Sequence, residues 1–252
     1  MKTIFSALLF LLLPASSSTI LLQEKIPYYP NESFDFNLYY GLLKIGVAHL
    51  EFNTQINTCD AYIIAEAKST GIVKYFKDIQ YRYEACMDTS TGLPVSDSRT
   101  LIEGNYKDIN TTYYNHTFRE DSSLVYSANI DSFIVPKNIY DLLTGFYMYR
   151  VNYIPFKLDK NKSVHITSFF NDEVWDLNIS YHGIQKIYTR YGILECYVVK
   201  PETVIGYFFK SSDAMSIWIT KGHINIPVRF SLDLKIGLLH GELVDFKRAT
   251  QS

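Results

Sequence analysis

Apolar and polar residues trade places at every second position over stretch after stretch of this chain, and that periodicity narrows the available folds more than any other feature. Trp175, Leu177, Ile179 and Tyr181 alternate with Asp176, Asn178 and Ser180, and Val228, Phe230, Leu232 and Leu234 alternate with Arg229, Ser231, Asp233 and Lys235. Nearer the start, Phe34, Phe36, Leu38 and Tyr40 flank Asp35 and Asn37, while Ala48, Leu50 and Phe52 flank His49 and Glu51. Successive side chains on a strand point to opposite faces, so each segment has one dry and one wet face, as in antiparallel sheets. About a dozen segments follow this pattern with turn residues between them, and a sheet of that size curls or closes. The expected fold is all-β and mainly antiparallel, a curved sheet or incomplete β-barrel or β-roll.

One segment breaks the pattern. In "PKNIYDLLTGFYMYRVNYIPF", residues 136–156, Ile139, Leu142, Leu143 and Phe146 fall at i, i+3, i+4 and i+7 on one face of a helix. Pro136 and Asn138 stand near its start and Arg150 near its end. The segment is too short to span a bilayer and lacks the basic face of a surface-membrane helix. Lying between two strand-rich halves, it is expected to pack on the concave face of the sheet. Asp141 and Arg150 complement the helix dipole at its two ends. In the alternative reading they line a cavity mouth and orient a polar head group, with Phe146 and Trp218 completing the candidate ligand-binding set.

The N-terminus has Lys2, an apolar run from Ile4 to Leu13 and a small-residue tract from Pro14 to Ser18, the pattern of a cleaved secretion signal. The run is about ten residues, against roughly 20 for a spanning helix. Residues 1–18 are therefore expected to be a signal peptide, 25–248 one β domain, and the mature chain free of transmembrane segments. Export to the periplasm or outer envelope follows. Without Lys2 the chain has 23 basic and 26 acidic residues, scattered singly, which argues against nucleic acid as a partner. Three cysteines in an oxidising compartment allow one internal pair, and Cys59 with Cys86, at the margins of adjacent strands, is the best candidate. Cys196 alternates with Leu194 and Val198 and reads as a buried small hydrophobe.

The order of several motifs resembles a bacterial envelope family known as domain of unknown function 3108 (DUF3108). "NESFDFNLYYGLLKIGVAHLEF" is similar to the family's opening, and "AKSTGIVKYFKDIQYRYEACMDTSTGLPVSDSRTLIEGNY" to its second block. "YDLLTGFYMYR", "YGILECYVVKPE" and "SIWITKGHINIPVRFSLDLKIGLLHGEL" resemble its central and closing motifs. The likeness runs from about Asn31 to Phe246. Where that family tends to carry an acidic residue after the Trp-x-Thr step, this chain has Lys221, Gly222 and His223. The resemblance implies export and a mostly antiparallel fold, and no particular reaction.

Motifs for zinc proteolysis, serine hydrolysis, phosphate binding and dinucleotide binding are lacking in the sequence. Its six histidines are dispersed without metal-ligand spacing. Asp172, Glu173 and Asp176 lack the glycine and regular spacing of a calcium loop and read as a solvated hairpin. No cofactor is expected. The leading expectation is a non-catalytic envelope protein holding a lipid or other hydrophobic or amphipathic molecule in a barrel-like cavity. The alternatives are a hydrolase of envelope glycan or lipid, and a structural protein docking an envelope partner.

Overall fold

The computed structural model describes residues 31–56, 59–128, 131–152, 154, 163–202, 211–222 and 224–249. The expected signal peptide and His223 lie outside them. The first half of the chain forms β1 (Glu32–Tyr40), β2 (Leu43–Ile56), β3 (Cys59–Ser69), helix α1 (Gly71–Phe76), β4 (Ile79–Met87), β5 (Pro94–Glu103), β6 (Tyr106–Asn115), β7 (Ser122–Ser127) and β8 (Ser132–Pro136). After helix α2 (Leu142–Asn152) come β9 (Ser163–Phe170), β10 (Glu173–Thr189), β11 (Gly192–Pro201), β12 (Met215–Thr220), β13 (Pro227–Leu234) and β14 (Gly237–Arg248).

All fourteen strands belong to one antiparallel sheet, in the order β8-β7-β6-β5-β4-β3-β2-β1-β14-β13-β12-β11-β10-β9. Each half of the chain is a meander, and the halves join in the middle because β1 pairs with β2 on one side and β14 on the other. The two edges then approach each other. Tyr140 forms a parallel bridge to Ser168, donating its N–H to the Thr167 carbonyl at 3.0 Å and accepting from Phe169 at 2.7 Å. Phe133 of β8 and Phe169 of β9 lie 5.2 Å apart between ring centres across this seam. The barrel-like sheet is thus nearly closed, which leaves little free edge for aggregation.

Alternation decides the faces. On β2 to β4 the apolar positions Phe52, Ala61, Ile63, Ala85 and Met87 pack against Tyr147, Met148 and Val151 of α2. From the opposite wall, Ile166, Ile179, Val199, Ile217 and Ile219 surround Tyr149, with Phe146 partly buried beside them. Polar positions of β1 to β4 make ion pairs instead: His49 with Asp35 on the neighbouring strand and Glu51 on its own, and Arg82 with Glu66 on the neighbouring strand and Glu84 on its own.

The helix therefore touches both walls of the concavity. Its residues 144, 145 and 147–151 are buried all around the helix axis, so the one-sided stripe seen in the sequence understates its role. It also begins later than that stripe suggests. Asn138 takes a left-handed conformation (φ 58°), Ile139 is buried among Tyr114, Val125, Val135 and Phe169, and Tyr140 is extended along β9. Ile139 thus serves the seam, and Asp141 starts the helix. Cys59 and Cys86 are joined in a disulfide linking the start of β3 to the end of β4, with Cα atoms 5.6 Å apart. Cys196 is a buried free thiol whose pKa burial pushes up to about 11.

Candidate functional site

Asp141 occupies the N-cap of α2. Its Oδ1 accepts from the N–H groups of Leu143 and Thr144 at 2.7 and 3.1 Å, and its Oδ2 accepts from the Thr144 hydroxyl. Facing it is Asp97, which β5 places opposite Ala85 of β4 and Thr112 of β6. Tyr114 donates to Asp97 Oδ2 at 2.5 Å. Burial, then the nearby Asp141 carboxylate, push Asp97 up to about 7, against the opposing hydrogen bonds of Tyr114 and Thr112 and the charge of Arg99. Burial likewise raises Asp141.

These carboxyls line a cavity of about 30 Å³ bounded also by Arg99, Asn110, Leu143 and Phe169. Such a volume admits about two water molecules. Arg99 closes its edge, donating to Asp108 at 2.7 Å and to Asn171 at 2.5 Å, with its guanidinium 5.9 Å from the centre of the Phe170 ring. Chemically this is a pair of buried carboxyls, each pushed toward its protonated form by burial and Asp97 further by the charge of Asp141. Its oxygens already accept bonds from the protein, and the space beside it is water-sized.

A second recess lies under the β10–β11 hairpin. The β10–β11 hairpin reaches over β14, where Arg190 Nη1 and the Tyr191 hydroxyl both donate to the Val244 carbonyl, at 2.6 and 3.0 Å. The recess opens as a cleft of about 300 Å³ with Tyr39 and Tyr188 as aromatic walls and Arg190, Arg229 and Glu242 as polar ones, floored by the buried Val228 and Leu243. Arg229 bonds Glu242 at 2.6 Å. The volume suits a small ligand, and the mixture of ring faces and guanidinium groups suits an amphipathic one.

The four candidate ligand residues do not share one cavity. Asp141 borders the small carboxyl cavity, whereas Arg150, nine residues on and so about 13 Å along the helix, pairs with Glu32 inside the barrel. Phe146 joins the cluster around Tyr149. Trp218 packs with Phe34, Phe36 and Val228 and donates to Gln185 at 2.9 Å, one strand away from the cleft. The unforeseen residues are Asp97, Tyr114 and Glu32 inside, and Tyr188, Arg190 and Glu242 at the cleft. Asp97 sits in "PVSDSRT", where Val95 at i−2 is 47% exposed and Arg99 at i+2 is charged, so the local pattern does not reveal an inward face. Arg190 and Tyr191, beside the Gly192 turn, carried the only available signal: a bulky charged tip on a long hairpin. Among the described residues no three His, Cys, Asp or Glu side chains group to hold a metal. Asn171 and Asp172 form the tight β9–β10 turn, and Lys221 bonds Glu195 at 3.5 Å.

Comparison with known proteins agrees with this architecture. A crystal structure of a beta-barrel-like protein of domain of unknown function DUF1849 from Brucella abortus superposes with a TM-score of 0.60 at 8% identity, covering 89% of this chain and 100% of that one. At that identity the likeness is one of fold. No curated protein matches the sequence. The profile of the family described as "Protein of unknown function (DUF3108)" matches residues 35–244. With most of its length so matched, the chain belongs to the DUF3108 family.

Proposed function

We propose that this protein is a non-catalytic binding protein of the bacterial cell envelope that takes an amphipathic ligand in the cleft under the β10–β11 hairpin. The observation that carries the reading is a contrast of spaces. Residues 144, 145 and 147–151 of α2 are buried within the barrel, and the cavity at its start holds about 30 Å³, while the cleft offers about 300 Å³. An acyl chain needs the larger space. Tyr39 and Tyr188 present ring faces for an apolar body, and Arg190 and Arg229 suit an anionic head.

Hydrolysis has one observation in its favour, the convergence of Asp97 and Asp141. A hydrolase, however, must seat a scissile bond beside such a pair. Here the helix cap and Tyr114 engage the carboxylates, and the space they line among the described residues is about 30 Å³.

Native mass spectrometry of the mature protein purified from its own envelope tests the binding reading. The expected result is one amphiphile per chain, removed by organic extraction, and its loss from the double variant Tyr188→Ala/Arg190→Ala. An empty wild-type protein, or retention by that variant, would overturn the assignment to the cleft.

A further inference from the structure

Three neighbouring turns on one rim of the sheet carry the same unusual pairing of bare apolar tips with lysines. The β1–β2 turn reads Leu42-Leu43-Lys44, the β13–β14 turn reads Lys235-Ile236, and α1, between β3 and β4, ends Lys74-Tyr75-Phe76-Lys77. The turns are adjacent because β13, β14, β1, β2, β3 and β4 are consecutive in the sheet. Gly41 donates to the Leu238 carbonyl at 2.9 Å and Thr70 to the Ile45 carbonyl at 2.9 Å, which ties the three together.

Leu42 is 100% exposed, Tyr75 87%, Phe76 80% and Ile236 78%. No residue of α1 is buried, so its apolar side chains contribute nothing to the core that would explain their presence. Scattered exposed apolar residues are ordinary, but a contiguous row of them marks a contact surface. Charge indicates the partner. Lys77 pairs with Glu103, whereas Lys44, Lys74 and Lys235 form no ion pair among the described residues. Protruding apolar and aromatic tips each flanked by an unneutralised lysine fit an anionic bilayer surface: the tips enter the headgroup and acyl boundary while the ammonium groups stay at the phosphates.

We propose that this rim docks the protein on anionic lipid membranes, with Leu42, Tyr75, Phe76 and Ile236 inserting and Lys44, Lys74 and Lys235 meeting the headgroups. The rim shares no residue with the cleft, so either assignment can fail while the other stands.

The test is co-sedimentation of the mature protein with extruded vesicles, either phosphatidylethanolamine with phosphatidylglycerol or phosphatidylethanolamine with phosphatidylcholine. The expected result is binding to the anionic vesicles that weakens at high salt, falls at least about tenfold in Lys44→Glu/Lys74→Glu/Lys235→Glu, and is lost in Leu42→Ser/Tyr75→Ser/Phe76→Ser. All six positions are exposed, so matched thermal melts confirm that these variants fold. In Phe76→Trp the indole emission should shift to the blue on anionic vesicles, which a purely structural role would not cause. Equal binding to both vesicle types, no binding by the wild type, or undiminished binding by the charge-reversal variant would overturn the proposal.

Discussion

Arg150 and Glu32, 118 residues apart in sequence, form an ion pair inside the barrel with side chains only 2% and 0% exposed. The Arg150 guanidinium also lies 5.2 Å from the Phe34 ring centre and 5.3 Å from that of Tyr147. The last turn of α2 is thereby fastened to the first residue of β1, the central strand joining the two halves of the sheet. Removing one member of a buried ion pair costs about 3–5 kcal/mol because the other loses its counter-charge, whereas replacing both with apolar residues is close to neutral. Urea unfolding should therefore show large losses for Arg150→Met and for Glu32→Leu. The double variant should be more stable than either single one, and additive losses would contradict this account of the pair.

Asp97 makes stability depend on pH in an unusual direction. Its carboxyl, ordinarily near 3.8, is pushed up to about 7 by burial and by Asp141, so the folded state holds a proton that the unfolded chain releases. Between about pH 4 and pH 7 the native state binds more protons, and stability falls as pH rises across that window, then levels off. Asn in place of Asp97 can still accept the Tyr114 bond and never ionises. Compared by urea unfolding, Asp97→Asn should gain on the wild type by roughly 1–3 kcal/mol between pH 5 and pH 8. Parallel pH profiles for the two proteins would contradict a raised Asp97 carboxyl.

The Cys59–Cys86 disulfide closes a loop with a sequence separation of 27. Chain-entropy reasoning assigns such a loop about 3.5 kcal/mol through the unfolded state. Cys59→Ala/Cys86→Ala should therefore fold to the same far-UV spectrum with a lowered urea midpoint. An unchanged midpoint would show that the bond contributes nothing to stability.

Gly241 on β14 faces Phe230 of β13 in register, and a methyl group at Gly241 would fall within the van der Waals envelope of that ring. Phe230 cannot withdraw freely, because it packs edge-on against Phe36 with ring centres 5.6 Å apart. Gly241→Ala is expected to cost about 1–3 kcal/mol by overpacking, read as a lower melting temperature.

The strands were legible because their physics is local. Residues such as Phe34, Phe36, Ala85 and Val228 announce their face through period-2 alternation, and the sheet's tendency to curl follows from strand number. The course of "NIYDLL" was less legible. Ile139 fits a helical stripe, yet its place is decided by β9, which lies far along the chain and recruits Tyr140 as a seam. The carboxyl pair escaped notice for the same reason. Asp97 and Asp141 lie 44 residues apart in the numbering, and only curling of the sheet brings them together. The cleft depends on the reach of the β10–β11 hairpin over β14, which no local pattern encodes.

Helix α2 is buried in the core, and the proposed ligand site therefore lies away from it, in the cleft under the β10–β11 hairpin. Hydrogen–deuterium exchange resolved to α2 tests this most directly, because protection reports the free energy of local opening. The account expects the amides of residues 145–152 to exchange as slowly as those of β3 and β4, which pack on them. Rapid exchange of α2 while those strands stay protected would mark the helix as a lid over an internal binding cavity and would contradict it.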